Sequence, residues 1–305
     1  MLYPKPIQKG DTIGLIAPSS PVSNERLKLC MNAVSALGYR PVPGKSCLES
    51  LHGYLSGSDK LRADDINNMF ENPNIKAVFC LRGGYGSTRI LPLLDYSLIR
   101  QNKKIFMGYS DITSFHLAFY SCCHMITFHG PMVSSNMIDN FDDYTKESFE
   151  HAVRLMPDSL FFNPKDIPLQ TIVPGYARGR ILGGCLSLLT SAIGTFYQPD
   201  FQNTILFLEE IGETIPRCDR MMQHLKNACI LEQINGVILG NFKDCTNPND
   251  PDFTIYDFFQ EFFKDYRKPV IWGFQSGHDK PMATVPFGTV CTMYTEKKLI
   301  RFEFR

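Results

Sequence analysis

The sequence has a single tryptophan, no excess of either charge and no long apolar run, and each absence narrows its function. Lysine plus arginine equal aspartate plus glutamate at 31 each over 305 residues. No broad positive field is therefore available for a phosphate backbone, and nucleic acid is not an expected partner. Nowhere do about 18 apolar residues run together, as a membrane-spanning helix requires, so no membrane partner is expected. The opening MLYPKPIQKGDTIGLIAPSSP carries prolines and a lysine where a secretory signal has an uninterrupted apolar stretch. The expected setting is soluble and cytoplasmic.

Ten cysteines are present, but they are scattered and no C-x-x-C occurs. In a reducing compartment most are expected as small buried hydrophobes. Cys122 and Cys123 are the most tempting thiol nucleophile, yet they fall in the apolar second half of an expected helix. Also missing are a Walker ending, a G-x-G-x-x-G spacing, H-E-x-x-H and any compact cluster of histidine and carboxylate. No metal and no cofactor are expected.

What is present is an alternation of strand and helix signals. Residues 12–17 are short and apolar, 18–21 break the run, and Leu27, Met31, Val34 and Leu37 recur at helical spacing up to Gly38. A polar helical segment at 58–70, a strand at 75–81, a glycine-rich turn and an apolar run at 104–108 repeat the pattern. Such alternation implies a mostly parallel α/β sheet. The stretch 156–175 has four prolines and no period, and reads as a connection. The expected division is an N-terminal α/β domain over 1–160, a linker at 161–175, and a C-terminal α/β domain over 176–305. In the second half, glycines at 179–184 run into a helix, a strand is expected at 204–208, and short strands joined by Gly and Pro turns fill 270–304.

Three sets of residues carry candidate chemistry. In GYSDITSFHLAF, residues 108–119, Ser110 stands where a strand stops and a helix begins. It is either a helix cap or a nucleophile, because a sharp strand-to-helix turn exposes a side chain beside converging N–H groups. Of seven histidines, His278 in the polar loop GHDKP and His129 in FHGP are the candidate bases. Glu209 and Glu210 end the strand at 204–208; if extended they point to opposite sides, one into a site and the other toward solvent or a counter-ion. The glycine turn LRGGYGST, residues 81–88, is suited to lend a backbone N–H to an oxyanion.

Seven blocks in order, IGLIAPSSPV, LRGGYGSTRIL, GYSDIT, TFHGPM, GRILGGCLSLL, LFLEEIGE and SGHDKP, resemble the LD-carboxypeptidase family of serine peptidases. This is family S66, which includes muramoyltetrapeptide carboxypeptidases and microcin C immunity hydrolases. The resemblance spans about residues 10–290. It implies Ser110 as nucleophile, Glu209 and His278 as its triad partners, and a site between the two domains. For that mechanism the expected oxyanion hole is the backbone N–H groups of Asp111, after the nucleophile, and Gly84, in the glycine turn, and the expected guanidinium for a substrate's terminal carboxylate is Arg82. The implied reaction removes the terminal D-alanine of a murein tetrapeptide during cell-wall recycling, by a homodimer. Hydrolysis of microcin C-type peptidyl or aminoacyl nucleotides is the alternative within the family, and a non-catalytic peptide-binding module the alternative outside it. One departure is Cys185 in GGCL, where asparagine is expected and where a polar role is therefore in doubt.

Overall fold

The computed structural model describes residues 1–139, 141–157 and 159–304. Two mixed sheets, each with helices, make a two-domain α/β fold. The first contains β1 (Thr12–Ile16), β2 (Arg40–Pro43), β3 (Ile75–Cys80), β4 (Ile105–Gly108) and β5 (Thr127–His129). The second contains β6 (Ser159–Phe161), β7 (Gln170–Val173), β8 (Tyr176–Cys185), β9 (Thr204–Ile211), β10 (Gly236–Lys243) and β11 (Val270–Trp272). The chain then forms β12 (Val285–Phe287), β13 (Val290–Tyr294) and β14 (Leu299–Glu303).

The first sheet runs β12-β5-β4-β3-β1-β2, parallel except at β12. Its strands read as apolar runs because both faces are covered. Ile13, Leu15, Ala77, Phe79, Ile105 and Met107 belong to one core, while Ile16, Val78, Cys80 and Phe106 belong to the other. The second sheet runs β6-β14-β13-β8-β9-β10-β11-β7, with β8 to β11 parallel and antiparallel strands at both flanks.

Three features differ from the reading of the sequence. The stretch 161–175 is not only a connection, since β7 pairs with β11. Glycines 179–184 do run into a helix, Leu186–Ala192, but they themselves lie in a ten-residue strand, β8, that the sequence did not signal. At Gly183, with φ of 145°, a side chain would collide with the Phe207 carbonyl, so glycine here permits close strand approach instead of a turn. Finally, β12 leaves the second sheet and pairs with β5 of the first. The loop carrying His278 therefore starts in one sheet and ends in the other. Among the described residues no helix is long and apolar enough to cross a membrane.

One buried cation braces the loops above the first sheet. Arg62, with no exposed surface, donates to the carbonyls of Pro18 and Gly86 and to Asp59. It thereby ties the exit of β1 to the glycine turn after β3. We predict that Arg62→Met, which keeps volume but leaves those oxygens unpaired, lowers unfolding free energy by about 3 kcal/mol in urea titrations. A loss below about 1 kcal/mol would mean that the brace is not structural.

Candidate active site

β4 ends at Gly108, Tyr109 is extended, and Ser110 takes a left-handed conformation with φ of 65°. A non-glycine residue held there costs roughly 1 kcal/mol or more. A 3₁₀ turn, Ser110–Ile112, then leads into the helix Thr113–Cys123. The capping reading of Ser110 fails. Neither Ile112 at the helix start nor Tyr109 before the turn makes a side-chain cap, and the Ser110 hydroxyl bonds to no other described residue.

The glycine turn lies directly against this serine. A Cβ on Gly83 would sit 3.0 Å from Ser110 Oγ and 3.3 Å from the backbone nitrogen of Asp111, so the missing side chain keeps that space open. Gly84, with φ of 115°, instead faces Ser20. The side chain of Asp111, buried beneath the turn, accepts from Ser19 Oγ at 2.5 Å and from the Ser87 N–H at 2.9 Å. Burial pushes its carboxyl above the ordinary value, and the two serines oppose that shift. One carboxylate thus locks three loops around Ser110, a role for which no motif signals.

On β9, alternation decides between the two glutamates. Ile205 and Phe207 belong to the core facing β12 and β5, whereas Leu206 and Leu208 belong to the core under the helix Ile215–Asn227. Glu209 continues the first face and Glu210 the second. Glu209 Oε2 lies 2.6 Å from His278 Nδ1. Gly277, with φ of 130°, makes this approach possible, since a Cβ there would sit 2.8 Å from the same carboxylate oxygen. Glu210 meets neither solvent nor a counter-ion, contrary to the expectation. It is buried and accepts from the Ser187 N–H at 2.7 Å and from the Cys185 thiol at 3.2 Å. Cys185 accordingly has a polar role after all, as a thiol donor.

Glu209 is wholly buried and the His278 side chain is 10% exposed. Burial raises the glutamate above its ordinary value although His278 opposes this. At His278 burial acts downward, but the charge and hydrogen bond of Glu209, with Glu210 behind it, outweigh burial and raise the imidazole above 6.5. Glu209 Oε1 is buried with no hydrogen bond from a described residue, so the carboxylate depends on His278 for compensation.

His129, the competing base, is fully buried, and neither ring nitrogen has a partner among the described residues. Burial, then its neighbours His116 and His278, hold it far below its ordinary value. His116 is pushed down to about 4 by burial and bridges Thr127 Oγ1 and the Gly108 carbonyl. Cys123 is buried and pushed up to about 12, and Cys122 is raised by burial too, neither being a ready thiolate.

The ring of Tyr109 meets His278 edge to face at 5.0 Å, bringing the serine turn and the histidine loop side by side. A second tie runs behind them: Thr113 Oγ1 accepts from the N–H of Cys185, the residue in register with Glu209. Arg82 is exposed, reaches only the Pro21 carbonyl at 3.5 Å, and has no carboxylate partner among the described residues. A separate apolar cavity of about 360 Å³ bordered by Tyr144, Phe161 and Phe302 contains none of these residues.

Sequence profiles match in two blocks: the LD-carboxypeptidase N-terminal domain over residues 13–130 and the LD-carboxypeptidase C-terminal domain over 178–293. The chain belongs to the LD-carboxypeptidase family. As a member of family S66 it is a serine-type carboxypeptidase, hence a hydrolase. A relative from Bacillus subtilis (strain 168), named "Probable murein peptide carboxypeptidase", is 37% identical over 298 residues, covering 97% of this chain and 92% of that protein. The muramoyltetrapeptide carboxypeptidase from Oxalobacter formigenes superposes with a TM-score of 0.84 at 27% identity, over 95% of this chain and 97% of that one. The microcin C7 self-immunity protein MccF, in complex with aspartyl sulfamoyl adenosine, superposes at 0.92 and 27% identity, over 100% and 99%.

The pairing of Glu209 with His278 has a spectroscopic consequence. We predict that the His278 ring titrates above 6.5 in the native LD-carboxypeptidase, and below it in Glu209→Gln, where burial remains but the charge is gone. Histidine NMR across pH 4 to about 9 checks this, and an unmoved titration in the variant would refute the coupling.

Proposed function

We propose that this LD-carboxypeptidase removes the terminal D-alanine of murein tetrapeptides through a Ser110–His278–Glu209 triad and an acyl-enzyme. In this reading a domain of residues 1–160 carries the nucleophile and a domain of residues 176–305 carries the other two. The observation that carries it is the buried 2.6 Å pair of Glu209 with His278 Nδ1, beside a serine in a left-handed strand-to-helix turn.

With Nδ1 engaged, Nε2 is the nitrogen that takes the Ser110 proton as Oγ attacks the peptide carbonyl. Glu209 holds the tautomer and stabilises the imidazolium. The backbone N–H groups of Asp111 and Gly84 meet the developing oxyanion in the space that Gly83 leaves open. The C–N bond then breaks, the departing D-alanine takes the proton from Nε2, and Ser110 is left acylated. Water attacks the ester with His278 again as base, and the serine is restored. Arg82 supplies a planar donor set for the substrate's terminal carboxylate.

Two observations favour murein peptide over a peptidyl nucleotide. Identity to the Bacillus subtilis protein, at 37%, exceeds the 27% to MccF. The sole tryptophan, Trp272, stacks on Phe242 and meets Phe259 at a tilt within the second domain's core, and so is not offered to a base.

D-Alanine release from a purified muramyl tetrapeptide, with a chelator control, tests the reading. Release by the native enzyme should survive chelation and fall by about 10⁴-fold or more in Ser110→Ala. Full activity in that variant would overturn the nucleophile. Gly83→Ala, which places a methyl against Oγ and the Asp111 nitrogen, is predicted to lower kcat by about 10²-fold while the protein stays folded. An unaffected kcat would remove the oxyanion site from this corner.

A further inference from the structure

Two loops, neither of them part of the triad, converge on the rim of the Ser110 turn and hold aromatic rings out of the protein. Tyr85 follows Gly83, which touches Ser110, by two residues, and is flanked by Gly84 and Gly86 with φ of 115° and 130°. The residue is 52% exposed. Tyr54 comes from a tight reversal between Leu51 and Leu55, closed by paired backbone hydrogen bonds, in which His52 and Gly53 both have positive φ. It is 45% exposed. The two phenol rings lie 6.1 Å apart at 41°, and the His52 ring stacks with Tyr54 at 6.4 Å. The sequence contains no sign of this pair, because the two rings are brought together only by the fold.

The shelf is braced rather than loose. The Ser56 N–H bonds to the Ser19 carbonyl, Leu55 is buried against Gly86, and Arg62 holds the Gly86 carbonyl. Tyrosine also presents a large face at small entropic cost. Beside the rings, Arg89 forks onto both oxygens of Asp59 at 2.7 to 3.1 Å, with both side chains partly exposed. Arg62 bonds both Asp59 and the carbonyl of Gly86, the residue after Tyr85, which places this ion pair by the rings.

We propose that Tyr54 and Tyr85, with Arg89 and Asp59, form a carbohydrate subsite that takes the sugar end of a glycan-linked peptide; this rests on the murein reading above. Apolar C–H faces of a pyranose suit an exposed aromatic surface, while a fixed guanidinium and carboxylate suit its hydroxyl and acetamido groups. The two rings are inclined to each other by 41° and so form no parallel slot for a flat base. The subsite is preformed, so its contribution is not consumed in ordering loops.

The test compares D-alanine release from an N-acetylmuramyl tetrapeptide and from the sugar-free tetrapeptide. The native enzyme should prefer the first, and in Tyr54→Ala the ratio of the two kcat/KM values should fall about tenfold, through KM, the scale of one lost ring contact. Tyr54→Trp should restore the preference. An unchanged ratio in Tyr54→Ala overturns the subsite. If neither substrate releases D-alanine, the carboxypeptidase reading fails by itself. A titration of Ser110→Ala with an N-acetylglucosaminyl-N-acetylmuramic acid disaccharide then decides the shelf. Saturable NMR shifts that vanish on adding Tyr54→Ala support it; no binding, or binding of adenosine monophosphate in preference to the disaccharide, overturns it.

Discussion

A carboxylate with no exposed surface, placed at the end of a strand that faces another domain, is the constraint around which this enzyme is built. Water cannot compensate Glu209, and one of its oxygens has no described donor, so the imidazole of His278 must stay close. That requirement explains the glycine at 277, where a side chain would strike the carboxylate. It also explains the raised affinity of His278 for its proton despite burial. The same pair that stabilises the histidine loop orients its ring, as the proposed triad requires.

The second constraint is bringing that loop to a serine carried by a different sheet. The histidine loop runs from β11, in the second sheet, to β12, in the first, and is anchored at both ends by hydrogen-bonded strands. Phe207 on β9 meets His129 at 5.1 Å, and Tyr109 meets both His129 and His278. A column of rings thus fills the seam between the sheets. His129 belongs to that column: its nitrogens are unpaired among the described residues because it serves there as a buried aromatic, and a charged ring would be costly in its place.

Much of the frame was legible in the residues, for definite reasons. Two-residue alternation and short apolar runs marked β1, β3, β4 and β9, and their covered faces are what such runs require. Adjacent Glu209 and Glu210 had to diverge, and they do, although the partner of Glu210 is a helix start and the Cys185 thiol rather than solvent. Ser110 remained ambiguous from local sequence because a cap and a nucleophile occupy the same kind of turn; the uncapped helix behind it removes the first reading, and the second is the one proposed. The strand at 179–184 was hidden because glycine marks both turns and close strand approach. Arg62, Asp111 and Tyr54 were invisible, since each acts on backbone or rings distant in sequence, and no spacing encodes such contacts.

The strain at Ser110 and the bracing around it belong to one design. A left-handed serine relaxes to an ordinary conformation if its neighbours allow it, which would reorient its hydroxyl. Asp111 prevents this from below by holding Ser19 and Ser87, and Arg62 prevents it from the side by holding Pro18 and Gly86. Both braces are buried ions whose full desolvation is offset only while every partner stays in place. Moving Ser110 would therefore break several charge-assisted bonds at once, so the turn has no cheap intermediate state between aligned and disrupted. Rigidity at the serine is thus obtained from charges that never touch the substrate.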